Sequence, residues 1–181
     1  MPGEEPFEHA REQHRARSLI RQLVELKYDF HAGRTLNVLD EGMREGLTIE
    51  IDTSLPGARV VRTLERVCDW RGFPQSIRCD NGPEFTSEVF VDWCQRMKIA
   101  IRYIQPGKPN QNAYIERFNR TYREEVLNSY LFEDLDDVRE ITNDWLIGYN
   151  EQRPHDALGG LPPAIFRQQQ LIENSTLQLS P

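Results

Sequence analysis

Three strand-like runs in succession, then helix, strand, helix, strand and helix, constrain this chain more than any other feature of its sequence. In the first run Val24, Leu26, Tyr28 and Phe30 alternate with Glu25, Lys27 and Asp29, the period-two pattern of a half-buried strand. A helix continuing through Leu26 fits the same residues, because Leu19, Leu23 and Leu26 also share a helical face. His31, Ala32 and Gly33 turn the chain, and residues 35–39 (T-L-N-V-L) and 47–51 (L-T-I-E-I) read as two further strands. Ser54, Leu55 and Pro56 supply a cap and an early proline for a helix over 57–71, stopped by Gly72 and Pro74. Residues 76–79 read as a short buried strand, 86–98 as a helix with Val89, Phe90, Trp93, Cys94 and Met97 inward, and 100–104 as a strand. A loop rich in breakers, 105–111 (Q-P-G-K-P-N-Q), leads to helices over 112–131 and 135–150. This order predicts an α/β fold, a mixed sheet flanked by helices on both faces. Its site is expected where strand ends meet a helix start. Residues 8–23 read as an extra N-terminal helix. The chain thus divides into a helical segment over 1–23, a core over 24–170 and a disordered tail over 171–181.

Composition narrows the class. At 181 residues the chain is one domain long, with 38% hydrophobic and 28% charged residues. It contains no apolar run near the roughly 18 residues that span a bilayer, and the acidic start M-P-G-E-E-P-F-E-H lacks the pattern of a signal peptide. Cys68, Cys79 and Cys94 form no C-x-x-C and leave one thiol unpaired, so a reduced cytoplasm and simple core roles are expected. The net charge is −7, but from Lys98 to Arg123 six basic residues face Glu116 alone, a local +5. A basic stripe on an acidic body suits a polyanion; a solvated face balanced by its neighbours is the plainer alternative.

Two carboxylates stand out within this frame. Asp80 follows the strand 76–79 in I-R-C-D-N-G-P-E-F, and Glu116 opens an amphipathic helix in N-Q-N-A-Y-I-E-R-F-N-R-T-Y-R, with thirty-five residues between them. On that helix Ile115, Phe118 and Tyr122 form one stripe, while Glu116, Asn119, Arg120 and Arg123 are expected on the opposite side. Each residue also has a plain reading. Asp-Asn-Gly is a strong turn without any chemistry, and Glu116–Arg120 is an i, i+4 pair worth a few tenths of a kcal/mol. Together the two acids make a hard-oxygen site for divalent cations, and a pair of ions about 3.5–4 Å apart wants a third carboxylate.

The runs D-N-G-P-E-F, I-E-R-F-N-R-T-Y-R-E-E-V-L and Y-N-E-Q-R-P-H-D-A-L-G-G-L-P-P-A-I-F, with the thirty-five-residue spacing, resemble the catalytic part of bacterial insertion-sequence transposases of the DDE type. These are relatives of retroviral integrases. The resemblance runs from about residue 35 to 166 and implies a ribonuclease-H-like fold with two Mg or Mn ions held by two aspartates and a glutamate. It also implies DNA cleavage at transposon ends, then attack of the freed 3′-hydroxyl on target DNA by a homo-oligomer, in the cytoplasm of a bacterium. Asp80 matches the second aspartate and Glu116 the glutamate. Asp29 is the candidate for the first, and Asp40 the alternative. Lys108, Asn112, Asn119, Arg120 and Arg123 match positions that approach the DNA backbone. Tyr149, Asn150, Arg153, Pro154 and His155 match the family's last motif, with a structural or DNA-proximal role. The segment before Thr35 departs from the family pattern, so a truncated, catalytically inactive remnant that only binds DNA or full-length partners is the alternative reading.

Overall fold

A computed structural model describes residues 21–30, 33–105 and 113–178, with side chains at 33–105 and 113–173. Five strands make one sheet: β1 (Arg21–Phe30), β2 (Gly33–Asp40), β3 (Glu45–Asp52), β4 (Ser76–Cys79) and β5 (Ala100–Tyr103). Their spatial order is β3-β2-β1-β4-β5. The first three form an antiparallel meander, and β4 and β5 join β1 in parallel. Helices α1 (Gly57–Arg71) and α2 (Glu88–Arg96) lie in the crossovers to β4 and β5, and α3 (Ala113–Tyr122), α4 (Leu135–Glu151) and α5 (Pro163–Gln178) follow. The alternating reading of 24–30 therefore holds over the helical one, and it extends three residues earlier.

Alternation along β2 sorts the molecule into two cores. Leu36 and Val38 face α1 and α2, and join Leu64, Ile77, Phe90 and Trp93 in a fully buried cluster. Leu39 faces the opposite way and packs with Ile115, Phe118 and Tyr149 of α3 and α4. Burying each large apolar side chain contributes about 1.5–3 kcal/mol, so the helices are held by their stripes more than by their own propensity. The thiols of Cys68, Cys79 and Cys94 are free and buried in the first core. Burial pushes each up to about 12, which keeps them protonated and inert.

Several local expectations shift. Pro56 itself caps α1, with no side-chain bond, while Leu55 is buried. Ser87 caps α2, its Oγ accepting from the Phe90 N–H, so that helix starts later than its apolar pattern suggests and Val89 falls on the exposed side. Helix α3 ends at Tyr122 and widens into a π turn over Arg123–Leu127. Helix α5 continues past Gln170 to Gln178, through most of the segment expected to be tail. No helix among the described residues is long and apolar enough to cross a membrane.

A buried ion network closes the meander. Arg71, at the end of α1, donates to Asp40 at 3.0 Å and pairs with Glu45 at 2.8 Å, and Arg167 of α5 reaches Glu45 at 3.2 Å. Burial raises the Glu45 pKa, and Arg71 and Arg167 oppose that rise.

Candidate active site

Asp80 stands at the C-terminal end of β4, half-buried, where the chain leaves the sheet. Its Oδ1 accepts the Gly82 N–H at 2.8 Å, an Asx turn that fixes the carboxylate beside the strand end. Gly82 then accepts at its carbonyl from the Phe85 and Thr86 N–H groups, both at 3.0 Å. The buried Phe85 is tied to β5 by the Tyr103 hydroxyl, which donates to its carbonyl at 2.9 Å. A Cβ on Gly82 would come within 2.9 Å of Asp80 Oδ1 and 2.5 Å of Glu84 Oε1. A side chain here would have to push these two carboxylate ends aside. The plain turn reading of Asp-Asn-Gly is therefore met by this geometry, which leaves the carboxylate half-buried at the strand end.

Helix α3 lies on the sheet face opposite α1 and contacts β1 and β2. Ile115, Phe118 and Tyr122 are buried as the stripe predicts, and Glu116, Arg120 and Arg123 are exposed. No ion pair joins Glu116 to Arg120 among the described residues, and both are exposed. Asn119 is the correction. It is 1% exposed, and its Oδ1 accepts from Asn37 Nδ2 on β2 at 2.6 Å. Its position three and four residues after Glu116 and Ile115 turns it under the helix. It pins α3 to the sheet where a contact to DNA was expected. A buried amide is ordinarily hydrogen-bonded, and here the partner is 82 residues away in sequence.

Strand register places the remaining candidates. Cross-strand partners share a face, and β1 pairs with both β2 and β4. Leu23 lies opposite Leu39 on one side and Arg78 on the other. Two residues on, Glu25 lies opposite Asn37, level with Asp80, which is two residues beyond Arg78. A bulge between Leu26 and Asp29 then shifts the ladder, and Asp29 lies opposite Arg34. Arg34 belongs to the alternating set of Leu36 and Val38 on the α1 face, so the Asp29 ladder position is at the hairpin end and away from α3. Asp40, the alternative, is 1% exposed and fully engaged: Oδ1 accepts from the Gly42 and Met43 N–H groups and Oδ2 from Arg71. It closes a turn on the α1 side and is not part of the site. Lys108 and Asn112 lie outside the described residues. Among the described side chains no group of three His, Cys, Asp or Glu is placed to hold a metal ion. Carboxylates such as those of Asp80 and Glu116 are hard oxygen donors of the kind that suits Mg or Mn.

The last motif is structural. Asn150 grips Gly46 of β3 twice, donating to its carbonyl at 2.8 Å and accepting its N–H at 2.9 Å. Tyr149 meets Phe118 edge-on at 4.9 Å, and His155 meets Tyr149 at 5.1 Å. Arg153 pairs with Glu125, which also accepts the Trp145 indole N–H at 2.7 Å. Burial works against the charge on Glu125, but these two donors hold its carboxyl below the usual range.

Two family models, both described as the integrase core domain, match residues 23–109 and 97–163. A protein of insertion element IS476 from Xanthomonas euvesicatoria is 45% identical over 133 residues, and one of IS407 from Burkholderia multivorans is 42% identical over 133 residues. Each match takes in 74% of this chain, and the chain spans 38% and 48% of those two proteins' own length. Among solved structures, the HTLV-2 integrase catalytic core domain in complex with magnesium superposes with a TM-score of 0.65 at 18% identity, over 83% of this chain and 99% of that one. The catalytic core domain of BIV integrase gives 0.61 at 16% identity, over 84% and 97%. The meander-then-crossover sheet agrees with these solved cores in fold, and with the two family models spanning residues 23–163 the chain belongs to the integrase core domain family.

Proposed function

We propose that this core carries out DNA transposition as a polynucleotidyl transferase, with Asp80 and Glu116 as two of its metal-holding carboxylates. What supports this reading is a strand-end aspartate after β4 together with a glutamate on the helix that Asn37 and Asn119 pin to the sheet. The third carboxylate comes from β1. The ladder favours Glu25, level with Asp80, over Asp29 at the hairpin end. Bound Mg or Mn, as a pair of ions, would supply Lewis-acid polarisation of the phosphoryl oxygens and of the attacking hydroxyl. In the joining reaction a 3′-hydroxyl oxygen forms a bond to a target phosphorus and the bond from that phosphorus to its own 3′-oxygen breaks; the attacking hydroxyl gives its proton to solvent and the departing 3′-oxygen takes one up from solvent, so one phosphodiester replaces another. The chain's own residues fix where the carboxylates stand: the Gly82 N–H orients Asp80, and the amide tie sets the height of Glu116 above the sheet. Arg120 and Arg123, exposed along the same helix, suit phosphate oxygens of transposon-end and target DNA, and activity on two DNA segments calls for a homo-oligomer.

Asp80→Asn and Glu116→Gln each abolish Mg- or Mn-dependent nicking and joining of oligonucleotides carrying the element's ends, while circular dichroism stays unchanged. Metal-dependent joining that survives both substitutions would end this reading. Calorimetric Mn titration separates the β1 candidates: Glu25→Gln weakens binding and Asp29→Asn does not. A second reading is a DNA-binding remnant without chemistry, favoured by the lack, among the described side chains, of any group of three His, Cys, Asp or Glu placed to hold a metal ion. Salt-sensitive duplex binding with no cleavage by the unaltered protein would decide for it.

A further inference from the structure

Among the described residues three acids are buried: Asp40, Glu45 and Glu84. Arg71 and Arg167 answer the first two. Glu84, 7% exposed, has no hydrogen-bond donor and no cation at its carboxylate. Its backbone is fixed. Ser87 Oγ donates to the Glu84 carbonyl at 2.7 Å, and a Cβ on Gly57, at the start of α1, would come within 3.0 Å of that same oxygen. Phe85, next in the chain, is fully buried and tied to β5 through Tyr103. From this anchored position the carboxyl turns back toward Asp80: one point beside Gly82 lies 2.5 Å from Glu84 Oε1 and 2.9 Å from Asp80 Oδ1. Burial, and then Asp80, Cys94 and Glu84 in turn, push the Cys79 thiol up to about 12, so both carboxylates act on the same strand end.

A buried carboxylate without a donor gives up hydration and gains nothing in return, and a second carboxylate beside it adds repulsion. An acid served by solvent alone would stand out in it, as the exposed neighbours Asn81 and Pro83 do. We propose that Glu84 joins Asp80 in holding a hydrated Mg or Mn ion on the 80–84 turn, as a ligand additional to those of α3 and β1. Mg keeps several of its waters and takes only one or two carboxylates from a protein, so this pair suffices without a cage of three acidic, His or Cys side chains. The assignment rests on the reading of Asp80 as a metal-holding residue.

Calorimetric Mn titration of the full chain without DNA tests it. Glu84→Gln keeps the side chain's shape, removes its charge and weakens Mn binding roughly tenfold. Thermal unfolding separates a ligand from a packing residue. In EDTA Glu84→Gln melts no lower than the unaltered protein, because repulsion with Asp80 is relieved. In excess Mn the unaltered protein gains in Tm and the variant gains less. If Glu84→Gln binds Mn as tightly as the unaltered protein while Asp80→Asn does not, Glu84 is no ligand and the reading of Asp80 stands. If the unaltered protein binds no Mn, or neither substitution changes its affinity, both fail. A Tm lowered equally with and without Mn gives Glu84 a packing role and overturns the proposal. Should Glu84→Gln not fold, Glu84→Asp carries the test. On the fixed backbone its carboxyl is drawn back by one methylene and weakens Mn binding severalfold, and unchanged affinity there also overturns the proposal.

Discussion

His155 shows how one side chain turns environment into pH dependence. Burial and three arginines keep its folded pKa below the ordinary 6.5, so folding favours the neutral ring. The unfolded chain takes up a proton near pH 6.5 while the folded chain does not until lower pH. Stability from this group is therefore present above about 6.5 and is lost as pH falls through that value toward the folded one. Urea unfolding between pH 7.5 and 5 checks the sign: the wild type loses more stability than His155→Gln, and equal losses would contradict the assignment. Asp80 was legible at this scale because a turn leaving a buried strand announces itself. Asn119 was not, since an amide facing inward needs a partner 82 residues away in sequence, Asn37, that no local pattern reveals.

Among the elements, α3 depends on close approach to β3. A Cβ on Gly46 would meet Leu146 Cδ1 at 2.5 Å and Phe118 Cε2 at 2.9 Å, and Asn150 holds the same glycine by its backbone. Gly46→Ala should therefore cost about 1–3 kcal/mol, measured as a lower urea midpoint, and should reduce joining by displacing the helix that bears Glu116. An unchanged midpoint would mean that α3 and α4 float more freely than these contacts imply. Helix boundaries over 57–71 and strand 76–79 could be read directly, because apolar periodicity and flanking glycine or proline coincide there. The π turn after Tyr122 and the capped start of α2 at Ser87 could not. Both are set by tertiary packing of aromatic rings and a single hydroxyl, which leave no periodic trace. The ladder partners of Glu25 and Asp29 were equally hidden, since a bulge shifts the register without altering the alternation of residue types.

Across the whole molecule, the buried Arg71 joins pieces far apart in sequence: the β2–β3 turn, the end of α1 and, through Glu45 and Arg167, α5. Removing one partner from a buried ion pair leaves uncompensated charge. Arg71→Leu strands Asp40 and Glu45 together and should cost about 3–5 kcal/mol, seen as a several-degree drop in Tm. A drop under one degree would show that water reaches these acids. The element order, the mixed sheet and the two-sided cover were foreseeable from alternation and breakers alone, because topology follows from which segments are strands. Which face each carboxylate occupies was not, since that depends on ladder pairing. The irregularity in β1 between Leu26 and Asp29 has one more effect. It absorbs one odd residue, so a change of length in the ladder beyond it leaves the facing of the upstream half of the strand untouched.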